Sequence, residues 1–328
     1  MHHQHPPHLS SVRNEVPPGR NFFVYAPCMF MEYDKPALSI AQQLAVLQQR
    51  GLTIQDMTAA EKFLWQVSYF RFAAYLRPLE SDRQTHQFKP GAHIEQAVAL
   101  YSFDMELRKL LFDAIQRIEI ALRSCVIQQF SLAHGPFWFL DATLAIDEMK
   151  FAENVATLKR ELERTKEDFI KEHTVKYGSM RFPPAWKMLE LVSFGCLAQL
   201  YRNLADKQAK RNIAKGFNIR QHYTLESWML AVNVMRNYCA HHARIWNRTM
   251  PVMPQMLTRP MAKWITDVPA IANRPYAILC CIAYWLNSID AQNTFAKDVK
   301  KLLRRYPTVD ATAMGFPAKG WRKEPLWQ

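Results

Sequence analysis

Glycine is scarce in this chain, with 9 in 328 residues. A β-sandwich or a doubly wound sheet needs many tight turns, so neither is expected. Cysteine is scattered rather than patterned. Its six positions (Cys28, Cys125, Cys196, Cys239, Cys280 and Cys281) form no C-x-x-C pair, and several lie within apolar helical runs. That usage fits small buried hydrophobes in a reducing compartment, not disulfides or zinc ligands. Long apolar runs are missing too. The longest, Tyr276 to Leu286, falls far short of the roughly 20 residues that cross a bilayer. The first residues, rich in His and Pro, lack a basic stretch followed by an apolar core, so no signal peptide is read and a cytoplasmic location is expected. Acidic residues are in deficit, 29 against 42 Lys plus Arg, for a net charge of +13. Such an excess attracts phosphate backbones, and nucleic acid is the expected partner ahead of an anionic membrane.

What is present favours helices. The chain is 49% hydrophobic and 22% charged, and runs of Ala, Leu, Gln, Glu, Lys and Arg dominate it. Residues 1–36 carry six prolines and read as a flexible lead-in. A helix is expected from Ser39 to Gly51, and a second opened by a Thr58–Glu61 capping box and running through Trp65, Tyr69 and Leu76. After a polar segment, 80–91, a long third helix covers about 93–130, where Leu100, Phe103, Leu107, Leu111, Ile115, Ile118 and Leu122 recur at helical steps. A charged helix follows over 147–177. Pro183 and Pro184 open an apolar one through Trp186 and Leu200, and 207–215 forms a short basic helix. Thr224 caps a helix to about Arg244; further helices run from Pro275 to Leu286 and over 294–305, and the chain beyond Pro307 reads as a loose tail. No strand is expected. The fold class is all-α, one helical bundle over 37–250 with an extension over 251–306.

One constellation suits chemistry. Arg236, Asn237 and His241 form an R-N-x-x-x-H motif. On a helix Asn237 and His241 share a face, and Arg236 lies about 100° to one side. A histidine near neutral pKa exchanges protons with a ribose 2′-OH or a leaving 5′-oxygen, an arginine fork neutralises a phosphorane, and an asparagine orients either. The six-residue spacing is equally compatible with a helix end whose Arg and His cap carbonyls. Leu225, Trp228, Val232, Met235 and Cys239 make one apolar seam on this helix, while Leu230 and Val234 extend the Asn237–His241 face upward. Two apolar faces call for two burial partners, the second being another copy of the chain.

The surrounding text resembles the Abi family of abortive-infection proteins, within the HEPN superfamily. The resemblance spans about residues 35–250. It rests on Tyr69-Phe70-Arg71 with YLRPL (75–79), on Phe88 with Gly91, and on LYSFDMELRKLLFDAIQRIEIALRS (100–124). PPAWKMLELVSFGCLAQLY (183–201) and MRNYCAHHARIWNR (235–248) complete it. It implies a HEPN-type bundle and a metal-independent endoribonuclease acting in anti-phage defence. Arg236 and His241 would then be catalytic and Asn237 their polar partner. It also implies a homodimer, because such nucleases join two motifs, and for some relatives an accompanying small noncoding RNA. No cofactor and no metal are expected.

Arg117, Glu119 and Arg123 sit among apolar neighbours, where they support the cleft or form ordinary surface ion pairs. His242, Arg244 and Arg248 are candidate phosphate contacts, although His242 also falls on the core seam. The aromatics Tyr69, Trp186 and Trp228 have helical spacing that favours packing over base stacking. The basic runs 207–215 and 297–305 are phosphate-binding candidates or plain solvated faces. The His241–His242 pair lacks an acidic or Cys companion, which argues against a metallohydrolase.

Overall fold

The computed structural model describes residues 35–178, 181–266 and 273–328. The expectations for the N-terminal lead-in, its histidine cluster and Cys28 fall on residues outside these. Among the described residues lie twelve α-helices and one two-stranded ribbon, so the all-α class holds.

The long third helix of the sequence reading becomes α4, Ile94–His134, 41 residues and about 60 Å of axis. It starts where the Gln96 side chain accepts a hydrogen bond from the His93 amide (3.0 Å) and stops at Gly135, whose φ of 81° suits only glycine at low cost. Its stripe from Leu100 through Phe130 is buried, and α3, α9, α10, α11 and α12 all pack against it.

Before it come α1 (Ile40–Gln49), α2 (Met57–Val67) and α3 (Tyr69–Leu76). Two expectations change here. The cap of α2 is Asp56, whose carboxylate accepts from the Ala59 amide at 2.9 Å, and this leaves Thr58 inside the first turn. The helix also breaks at Ser68, φ 66°, which turns α3 so that Phe72, Tyr75 and Leu76 are buried. The segment read as strandless holds a short antiparallel ribbon, β1 (Glu80–Asp82) and β2 (Gln87–Phe88). Its turn closes on the Asp82 carboxylate, which accepts from Gln84 N and Thr85 Oγ1.

Two further helices divide at local side-chain bonds. The charged one splits into α5 (Glu148–Arg164) and α6 (Asp168–Tyr177), where the Thr165 hydroxyl accepts from the Glu167 amide. The apolar one splits into α7 (Ala185–Met188) and α8 (Phe194–Arg202), because Ser193 caps the Cys196 amide. Trp186, expected to pack, lies 51% exposed, whereas Trp228 is buried and donates its indole N–H to Gln255 O.

The basic helix α9 spans Lys207–Gly216 and α10, which bears the motif, His222–Ala240. Thr224 does not cap α10 but sits buried in its first turn and donates to Gln255 Oε1. Then α11 (Pro275–Ile289) is buried at every position from Pro275 to Leu286, against α4 and α10, and α12 (Phe295–Arg305) lays its apolar side on α4.

The tail read as loose is packed. Phe316 lies tilted against Tyr276 (4.4 Å between centroids), Trp321 meets Phe316 edge-on (4.7 Å), and fully buried Trp327 donates to the Tyr276 hydroxyl at 3.2 Å. Gly315, φ 89°, lets this segment approach; a Cβ there would lie 2.6 Å from Cβ of Arg274. Its sparse helix content hid three large rings that have a core to join. Residues 40–328 thus form one compact unit.

Candidate active site

The motif sits where α10 ends. Arg236 and Asn237 lie half-buried in its last turn. Helical conformation stops at Ala240, so His241 is the C-cap (φ −91°, ψ 11°) rather than a residue inside the helix. Its backbone N–H still donates to Asn237 O (2.9 Å), which keeps Asn237 and His241 one turn apart as the spacing predicts. His241 is exposed. The guanidinium of Arg236 lies 5.9 Å from the ring centre of Phe112 on α4. Among the described residues no side-chain hydrogen bond or ion pair engages Arg236, Asn237 or His241. Their donors and acceptors are free for a ligand.

The chain after the motif is held by one buried carboxylate. Asp104 of α4, wholly inaccessible, accepts from the amides of Ile245 (3.1 Å) and Trp246 (2.7 Å), from the Tyr75 hydroxyl (2.7 Å) and from Arg108. Arg108, 6% exposed, also donates to Ala243 O (3.3 Å), and Arg71 of α3 donates to His242 O. These bonds fix the reversal at His242, φ 55°, that swings the chain off the end of α10. Burial, reinforced by the Asp104 charge, pushes the Tyr75 phenol far above its ordinary value, so it stays a donor. Burial likewise pushes the Cys239 thiol, on the inner side of the motif, up to about 12.

The other sequence candidates fall into two groups. His242 is exposed, not buried on the core seam, and lines the cleft described below. Arg244 donates to Ala74 O (3.3 Å), and burial with neighbouring Arg248 lowers its pKa; Arg248 stacks on Tyr238 (4.3 Å) and bonds Arg244 O. Both arginines therefore brace the loop. Arg117 lies apart, paired with Asp290 at the end of α11 (2.6 Å). Arg123 bridges Glu119 (2.8 Å) and Val192 O (2.9 Å), pinning the lead into α8. The structure does not bring Arg117 or Arg123 into contact with the motif.

Beside the motif opens a cleft of about 810 Å³ between α2–α3, α4 and the end of α10. Tyr101, Met105, Lys109 and Phe112 line it from α4, Val67 and Arg71 from α2 and α3, and Cys239, Ala240 and His242 from the motif side. Sequence reasoning missed Asp104, Arg108, Lys109 and Phe112. The signal was there: Asp104 and Arg108, four apart, fall on the same helical stripe as Leu100, Leu107 and Leu111, where a charge pair has to be buried. Among the described residues, no group of three or more His, Cys, Asp or Glu is placed to hold a metal ion, and no helix is long and apolar enough to cross a membrane.

With the bundle and the motif in place, comparison with known proteins gives the class. The family described as Abi-like protein matches residues 62–247, from within α2 to the loop that Asp104 clamps. The chain belongs to the Abi-like family. No curated protein and no solved structure matches it.

Proposed function

We propose that the protein is a HEPN-type endoribonuclease that cuts RNA without a metal and acts as the toxin of an abortive-infection defence. The reading rests on one observation above all. In a region where the neighbouring arginines are committed to carbonyls or to Asp104, the motif's own Arg236, Asn237 and His241 make no side-chain hydrogen bond or ion pair among the described residues, and Arg236 meets only the Phe112 ring. All three keep contact with solvent, so a ligand can reach them. Family membership supports the defence role.

In the proposed reaction the ribose 2′-OH attacks the adjacent phosphorus and the P–O5′ bond breaks, giving a 2′,3′-cyclic phosphate and a 5′-OH end. His241, at the solvent edge, takes or returns the proton. Arg236 neutralises the charge growing on the non-bridging oxygens, and Asn237 orients the phosphate or the imidazole. His242 is a phosphate contact at the mouth, and through the loop Arg244 and Arg248 add positive charge there; Glu119 and Arg123 hold the wall next to α8. A homodimer completes the site, its seam formed by half-buried Leu230 and Val234 of α10 with exposed Ile120 of α4. A small noncoding RNA is a further candidate partner.

His241→Ala tests this directly. Purified wild-type protein with EDTA should cut total RNA to 2′,3′-cyclic phosphate ends, and H241A should lose at least ~100-fold in rate with an unchanged circular dichroism spectrum. Undiminished cutting by H241A would sink the proposal. Salt-sensitive RNA binding without product at any pH would assign a non-catalytic RNA-binding role instead.

A further inference from the structure

We infer that the cleft beside the motif is a subsite for one unpaired nucleobase next to the scissile phosphate, which makes single-stranded RNA the substrate class. The inference rests on the ribonuclease reading and deepens it.

Three observations carry it. The first is continuity: Phe112 both lines the cleft and lies under the Arg236 guanidinium, so the cleft begins where the motif ends. The second is size and lining. About 810 Å³ falls within the roughly 300–1,000 Å³ of sites that enclose a compact organic ligand. Tyr101, Met105 and Phe112 stand at helical steps along one face of α4, and Phe112 keeps 39% of its surface open in spite of its arginine neighbour. An open ring flanked by cations is what a base stacks on. The third is charge. Lys109, between Met105 and Phe112, is exposed and forms no ion pair among the described residues. A polyanion satisfies it, whereas a second copy of a chain of net charge +13 would bring an identical lysine with it.

Paired bases cannot enter. In an A-form duplex the base faces are stacked on one another and the edges are occupied, so the cleft selects loops, bulges and single strands. Asp113, one residue beyond Phe112, also lines the cleft and has no ion-pair partner among the described residues. A carboxylate only accepts hydrogen bonds, so it favours a base whose edge donates; guanine, with N1–H and N2–H side by side, offers two donors to its two oxygens.

The test uses the full chain and short oligonucleotides that carry the mapped cut site as a single strand, as a duplex, or with an abasic nucleotide beside the cut. Phe112→Ala and Phe112→Leu, the second keeping apolar bulk, should each lower kcat/KM by about ten- to a hundredfold. They should lower the affinity of H241A for the single strand similarly, read by fluorescence anisotropy. The abasic nucleotide should cost wild type as much and F112A almost nothing more, the duplex should resist cutting, and Asp113→Asn should weaken the base preference. Wild-type affinity in both Phe112 variants, or abasic and F112A losses that multiply, would overturn the subsite while leaving the ribonuclease reading intact. A shift of F112A from dimer to monomer in sedimentation would also overturn it, assigning the cleft to a second copy. Retained cutting by H241A removes the ribonuclease reading instead, and the anisotropy arm still decides the subsite.

Discussion

Two stretches of this protein have little regular structure and yet are firmly placed, and the main device that holds each is different. The loop 241–248 is held by hydrogen bonds that converge on Asp104, a carboxylate with no solvent contact. The tail 307–328 is held mainly by ring packing of Phe316, Trp321 and Trp327 around Tyr276, with single hydrogen bonds such as that from the Trp246 indole to Asp310 O (2.9 Å) added to it. Hydrogen bonds are directional, so the first device sets where each amide of the loop lies, and with it where His241 leaves α10. Ring packing depends on area and shape and tolerates small displacements. The directional clamp stands at the candidate site, and the tolerant one meets the loop where Trp246 donates to Asp310 O.

Substitutions that break one device and spare the other should separate their roles. The largest effect belongs to Asp104→Ala, which strands a buried Arg108, a buried phenol and two amides. A loss near the top of the ~3–5 kcal/mol for removing one partner of a buried pair is expected in urea unfolding, together with loss of RNA cleavage. Trp327→Ala should cost about 3–4 kcal/mol by the same measurement, from the lost rings and the void left behind. The surviving folded fraction should cut RNA as wild type does, and a matching loss of kcat would refute the separation. Tyr75→Phe removes one of the four donors to Asp104 and should cost about 1–2 kcal/mol. Cys239 offers a finer probe of the loop. With its thiol pushed up to about 12, almost no thiolate exists at pH 8, so alkylation by iodoacetamide should be slow in wild type and fast in D104A. Smallest of all is the effect of H241A on folding, within about ±0.5 kcal/mol, because the residue is exposed and bonds nothing with its ring.

Which of these features could be read from the sequence follows from the range of the physics involved. The stripe of α4 and the seam of α10 announce themselves because helical periodicity is local; so do the stop at Gly51 and the start at Pro275. Breaks were harder. Ser68, Thr165 and Ser193 interrupt continuous apolar or charged patterns, and whether a hydroxyl residue bends a helix or points outward is decided by what packs nearby. The motif's spacing was legible, but its surroundings were not: apart from Arg108, four residues on, the partners of Asp104 lie 29 to 142 positions away, and no window along the chain contains them all. The tail was misread for the same reason. Trp321 and Trp327 look exposed in a Gly/Pro-punctuated stretch until Tyr276, dozens of residues earlier, is brought beside them.

The burial of α11 bears on where the family ends. The matched segment stops at residue 247, and α11 begins at Pro275. In this chain the shared portion has a missing wall, filled by a helix whose residues Pro275 to Leu286 are hidden from water on all sides. In this chain the matched segment is therefore not by itself the unit that folds. A polypeptide cut at residue 247 would leave an oily trench along α4 and α10 where α11 now lies.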